Sequence, residues 1–271
     1  MKKTKIDWAD STWNPVTGCL HGCEYCYARK IAYRFGSVVF ESNTENGYEC
    51  DLYEGTFENH ALNYPALREW KSGRTTKAPY PFCFDPTFHR YRLDEPQHWK
   101  KPRTIFVCSM GDMFGNWVPD EWIKRVFEAC EAAPQHRYLF LTKNPARYIE
   151  LAEKDILPDG ADNMWFGSTA TTPETEFFFS GGHNTFLSIE PILKPFHDSL
   201  DAGVQACEKT DWIIVGAETG NRKDKVIPKA DWIMEIVQSA EKTNTPVFMK
   251  ESLRGIMGDC FRQEFPWEAQ Q

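Results

Sequence analysis

At 271 residues and 41% hydrophobic composition the chain is long enough for one large domain with a sizeable core, since α/β barrels routinely reach this size as a single unit. Thirty-one basic residues against 39 acidic ones give a net charge of −8. This counts against a broad duplex-binding surface, where phosphate neutralisation needs clustered Lys and Arg, though not against a local basic groove. No apolar run approaches the roughly 18 residues of a membrane span.

The basic start Met1-Lys2-Lys3-Thr4-Lys5 runs into Asp7-Trp8-Ala9-Asp10 rather than an apolar signal core. With nine cysteines in no regular pairing, a reducing, cytoplasmic compartment is expected. Residues 1–18 are expected to form a leading segment and first strand ending at Pro15 and Gly18. Cys19-Leu20-His21-Gly22-Cys23-Glu24-Tyr25-Cys26 follows, and then Tyr27 to Phe35 as a helix, with Gly36 as its stop. Residues 37–78, polar and glycine-punctuated over Asn43 to Gly55, read as a lid or insertion, with a short helix expected over Leu62 to Trp70.

From Pro81 onward, short apolar runs recur. They are Pro81–Asp85, Thr104–Ser109, Tyr138–Lys143, Met164–Thr169, Thr185–Glu190, Asp211–Glu218 and Pro246–Lys250. Near-continuous apolar strands indicate burial on both faces, as in parallel sheets. Helical stretches lie between several of them, at Asp120–Ala132, Ala146–Lys154 and Ala230–Thr243, with Asp120 and Asp231 as candidate caps. The alternation predicts an α/β fold of one domain over 1–271, a parallel (β/α) barrel that is either partial (six strands) or near-complete (eight). Barrel enzymes put their chemistry at the C-terminal ends of strands, and here the runs end in Asp85, Ser109 then Asp112, Lys143, Ser168-Thr169, Glu190, Glu218 and Lys250-Glu251. One polar strand end means little. Seven in phase predict a site.

The cysteine loop has C-x3-C-x2-C spacing. Three thiolates on so short a turn can converge on one metal centre, and thiolates suit iron–sulfur clusters or zinc. A closed zinc site wants four protein ligands, so a zinc knuckle would need His21 or a distant cysteine. Chance spacing among nine cysteines is the third reading. The spacing, with Tyr25 directly before Cys26, resembles the cluster motif of the radical S-adenosylmethionine (radical SAM) enzymes.

That resemblance implies a [4Fe–4S] cluster on Cys19, Cys23 and Cys26. Its open iron would chelate S-adenosylmethionine, an external donor of flavodoxin or ferredoxin type would supply the electron, and Tyr25 would lie near the adenine. SAM needs partners for its ammonium, carboxylate and ribose. Ser109, Lys143, Ser168 and Glu190 offer the right types. Glu218, Lys250 and Asp112 are then the candidate catalytic residues, although Lys143 could pair internally with Glu190, and Lys250 with Glu218. Arg222, in Gly216–Arg222, is a candidate anion binder.

The chain is also similar to a family of phage-associated proteins of unassigned function. The likeness lies in Thr12-Trp13-Asn14-Pro15 and the cysteines, Ile105–Phe114, Leu141-Thr142-Lys143, Leu187–Pro191, Trp212–Gly220 and Pro246–Lys250. Ala217 stands where that family usually has a second glycine, and the run before Arg222 is shorter. The association suggests a nucleoside, nucleotide or nucleic-acid base as substrate. Two other functions are weighed beside it. One is a zinc- or cluster-bearing nucleic-acid-binding module without catalysis. The other is a barrel hydrolase or lyase using Glu190 and Glu218 as acid and base.

Overall fold

The computed structural model describes residues 4–36, 53–54, 60–69, 72–196, 202–220 and 222–268. Its centre is a seven-stranded sheet built from β1 (Ser11–Trp13), β8 (Thr104–Val107), β9 (Arg137–Thr142), β10 (Met164–Ala170), β11 (Asn184–Ile189), β12 (Ile213–Val215) and β13 (Val247–Met249), in that spatial order. Every neighbouring pair is parallel. The sheet curls into a half-barrel with β1 and β13 as its edges, so the count of seven falls between the two predicted numbers.

Alternation along each strand divides the core. Phe106, Leu139, Trp165, Phe186, Trp212, Ile214 and Phe248 cluster with Trp8 as one layer. Their neighbours Ile105, Val107, Tyr138, Phe140, Met164 and Phe166 pack with helix α2 (Asp120–Glu131) and helix α3 (Ala146–Glu153). Leu187, Ile189, Ile213, Val215, Val247 and Met249 pack with helix α5 (Ala230–Thr243). Apolar side chains on both sides of each strand are what a helix-covered parallel sheet requires.

Tyr27–Phe35 forms helix α1, as the periodicity predicts, closed by Gly36. Helix α4 (Ala202–Lys209) lies in a stretch with no predicted element. The expected caps differ. Pro119 and Lys229 occupy the cap positions of α2 and α5 without side-chain bonds, and Asp120 instead binds Arg147 and, at 2.7 Å, Lys154, tying α2 to α3.

Two predicted elements are replaced. Pro81–Asp85 is a turn, in which Cys83 takes φ 55°. The strand comes just after it, as β7 (Thr87–His89), in a small second sheet with β2 (Val16–Thr17), β4 (His60–Leu62) and β3 (Tyr53–Glu54). The helix expected over 62–70 is absent: Leu67–Glu69 is strand β5, hydrogen-bonded to β6 (Thr75–Lys77). Pro65 ahead of it disfavours helix at the preceding residue. Much of the expected lid, 37–52 and 55–59, lies outside the described residues.

The opposite end of the half-barrel is closed by the C-terminal stretch. Gln263 bridges Phe248 on the β13 edge. Trp267 lies 5.2 Å from Trp212 and 5.6 Å from Trp165, and the Arg137 guanidinium sits 4.0 Å over its ring. No helix among the described residues is long and apolar enough to cross a membrane.

Candidate active site at the strand ends

The cysteine loop is fixed before any cysteine is reached. Asn14 Oδ1 accepts from the Met110 N–H at 2.9 Å and from the Ser109 hydroxyl at 3.2 Å, pinning the end of β1 to the turn after β8. Gly18 then passes so close to the 84–85 backbone that a Cβ would sit 2.2 Å from the Asp85 carbonyl oxygen, and its φ is +88°. Both facts require glycine. Gly18→Ala is therefore expected to destabilise the chain by about 2 kcal/mol or more. A melting curve indistinguishable from wild type would refute this.

The loop ends in α1, where Cys26 is the N-cap and its sulfur accepts the Arg29 N–H at 3.4 Å. The fold thus aims a backbone donor at the Cys26 sulfur at the loop-to-helix junction.

Asp112 is the hub that holds this loop against the barrel. Its carboxylate accepts from the Thr142 hydroxyl (2.9 and 3.0 Å), from the Lys143 and Phe114 N–H groups (3.0 Å each) and from His21 Nε2 (2.8 Å). His21 also packs edge-on to Trp117 at 4.9 Å. Predicted as catalytic, Asp112 is only 5% exposed and its oxygens are committed to β9, its own turn and the cysteine loop. No local pattern in the chain marked His21 as its partner.

A cavity of about 280 Å³ opens above the strand ends. Cys19, Cys23, Cys26, Tyr25, Ser109, Asp112, Lys143, Glu190, Glu218 and Lys250 all line it, so ten of the eleven predicted site residues meet there. Ser168 does not: it is fully buried, and its Oγ accepts the Phe178 N–H at 2.9 Å. Thr169, one residue on and on the other face of the strand, reaches the cavity.

The ion pairs differ from those expected. Lys250 binds Glu190, and the crossing is possible because Gly216 on the intervening strand end has no Cβ, which would lie 2.9 Å from Lys250 Cδ. The Glu218 carboxylate accepts from Arg222 Nε and Nη2 at 2.7 and 2.8 Å, and Arg222 Nη1 lies 3.5 Å from Glu24 in the cysteine loop. Arg222 is thus a partner of Glu218 rather than a free anion binder. Its hydrogen bonds hold the Glu218 carboxyl below the usual range. The pair therefore stabilises the fold above the ordinary carboxylate value of 4.5 and is lost as pH falls through the lower folded value. The stability gap between wild type and Arg222→Gln should be wide near neutral pH and narrow as the pH falls below 4.5 in urea titrations. A pH-independent gap would contradict the pairing.

Lys143 differs from these. Its ammonium has no hydrogen-bond or ion-pair partner among the described residues and lies 5.6 Å from the Tyr25 ring centroid. Burial lowers its pKa, against the opposing pull of Cys23, Asp112, Glu190 and Cys19.

With this geometry in hand, the sequence profile of a family described as a protein of unknown function, DUF5131, matches residues 3–254. The chain belongs to the DUF5131 family. No curated protein matches it. Among solved structures, the DUF5131 chain is similar to spore photoproduct lyase complexed with dinucleoside spore photoproduct, at 10% identity and a TM-score of 0.49, over 92% of this chain and 79% of that one. It is also similar to a point mutant of spore photoproduct lyase, at 11% identity and 0.46, over 92% and 81%.

The donor set of this DUF5131 member can be tested against the groups its spacing implies. All eight described cysteines are free, and only Cys19, Cys23 and Cys26 line the cavity. Among the described residues no trio of His, Cys, Asp or Glu is drawn close enough to hold a single ion. Thiolates suit an iron–sulfur cluster, and the three that line the cavity fit a [4Fe–4S] cluster for which no fourth cysteine ligand stands among the described residues. Burial pushes the Cys19 thiol up to about 12, so ligation there must expel its proton.

Tyr27 and Ser188 also line the cavity and were not predicted, whereas Thr169 was read only as part of a polar strand end. The signal for Ser188 was parity. Counting alternate residues back from Glu190 puts Ser188 on the cavity side of β11.

Proposed function

We propose that this protein is a radical SAM enzyme, with a [4Fe–4S] cluster on Cys19, Cys23 and Cys26 and S-adenosylmethionine bound beside it in the strand-end cavity. One observation carries the reading: three thiols from a C-x3-C-x2-C loop line a single cavity at the C-terminal ends of a parallel half-barrel, and among the described residues no fourth cysteine joins them and the lysine beside them, Lys143, has no ion-pair partner. When bound, the cluster supplies the electron for reductive cleavage of SAM.

The chain's own residues divide the remaining work. The Lys143 ammonium offers charge for the SAM carboxylate, and the Tyr25 ring next to it offers a face for the adenine. Ser109, tied to Asn14, presents a fixed oxygen for the ribose or the ammonium. The Glu190–Lys250 pair faces the substrate side, where it can hold or release a proton, and the bidentate Glu218–Arg222 pair keeps the opposite wall rigid. Ile6, Trp8, Phe84, Phe106 and Leu141 exclude water from the interior of the cavity. The substrate class we favour is a nucleoside, nucleotide or nucleic-acid base, with a small flavodoxin- or ferredoxin-type protein as electron donor.

The test is anaerobic iron and sulfide analysis, with electron paramagnetic resonance of the dithionite-reduced protein before and after SAM. About four irons per chain and a spectrum changed by SAM are expected. Bound zinc, or a cluster indifferent to SAM, would reject the reading in favour of a binding module.

A further inference from the structure

The interior of the cavity holds two polar groups that the proposed cofactor site does not use. Trp8 and Ser188 both line it, and among the described residues neither the Trp8 indole N–H nor the Ser188 hydroxyl has a hydrogen-bond partner. Both residues are buried, Ser188 completely and Trp8 to within 2%.

Their surroundings are mostly apolar. Trp8 packs on Phe106 at 4.6 Å and on Phe186 at 6.2 Å, and Ser188 stands in register with Ile214 on one side and Thr169 on the other. A buried donor without a partner costs stability, whereas an apolar replacement of the same shape costs little. Alanine at 188 would suit this layer better than serine on packing grounds alone. Cavities that recognise a ligand combine mostly apolar walls with a few fixed polar groups, and the unsatisfied groups here have that form.

We infer that this floor is a subsite for the substrate's reacting end, and that it takes a planar ring bearing a carbonyl or ring-nitrogen acceptor, of nucleobase size. The acceptor meets the Trp8 N–H, and the Ser188 hydroxyl, able to donate or accept, meets a neighbouring ring group. The aromatic and aliphatic lining of Trp8, Phe106 and Leu141 covers its faces. The inference rests on the reading of this cavity as the reaction chamber and narrows its substrate class. Trp8 and Ser188 act here as specificity residues. The cysteines, Lys143 and Tyr25 remain with the cofactor.

The test compares two ring-shaped probes, uracil and toluene, on the full-length chain, by calorimetry and saturation-transfer NMR, with the iron content of each sample recorded. Wild type is expected to bind uracil in preference to toluene. Ser188→Ala should weaken uracil about tenfold while leaving toluene binding and the melting temperature unchanged or raised. Ser188→Cys, which keeps the size but donates weakly, should fall between them and guards against a packing defect in the alanine variant. The inference is overturned if wild type fails to bind uracil, prefers toluene, or shares its uracil affinity with both variants. Samples without iron would reject the cluster while leaving the uracil result standing, so the two failures are distinguishable.

Discussion

Serine at any one of Cys19, Cys23 or Cys26 will strip the chain of its iron, from about four atoms per chain after anaerobic reconstitution to a small residue, and will abolish SAM cleavage with it. The fold should survive. All three thiols are partly exposed at a cavity wall, Cys19 and Cys26 at the edge of the small cluster of Ala28, Ala32, Phe84 and Met110, so replacing sulfur with the slightly smaller oxygen removes a ligand and little packing. Cys260→Ser is the matched control, because that thiol is exposed and far in sequence from the loop. Its iron content should equal wild type. If the three loop variants keep their iron, or lose no more than Cys260→Ser does, the cluster assignment falls.

The second large effect belongs to Asp112. Its removal leaves the Thr142 hydroxyl, two backbone N–H groups and His21 without their acceptor in a largely closed environment. Hydrogen bonds to a charged group are worth roughly 1.5–3 kcal/mol each and do not add simply, so Asp112→Ala should lose about 3–5 kcal/mol. For a chain of this size that is a fall in melting temperature of roughly 6–15 °C. Asp112→Asn keeps one acceptor oxygen but turns amide hydrogens toward donors, and should fall between the two. Differential scanning calorimetry decides the matter. If Asp112→Ala melts with wild type yet turnover vanishes, Asp112 is a catalytic acid or base after all. If it melts early and reconstitutes poorly, it is the positioning residue that the geometry describes.

Most of the barrel could be read from the chain because its strands are apolar on both sides and its helices carry plain 3.6-residue periodicity, as in Tyr27–Phe35 and Ala230–Thr243. The small sheet could not. Its strands are two or three residues long, too short for any alternation to register, and β7 begins just past the apolar run 81–85 that suggested a strand. The site was legible as a set of residue types at strand ends and illegible as pairings. Lys250 finds Glu190 rather than Glu218 because β11 and β13 flank β12 and Gly216 leaves the gap between them open, a fact about strand order that no single strand contains. Ser168 missed the cavity by one residue, the whole difference between the two faces of a strand.

The aromatic seal formed by Trp212, Phe265 and Trp267 at the far end of the half-barrel also constrains traffic through the protein. Among the described residues these rings cover the strand starts, so the proposed chamber would be reached from the strand-end side, where the cysteines lie. If SAM sits there and the reacting ring lies deeper, the substrate has to load ahead of the cofactor, or else slip past it.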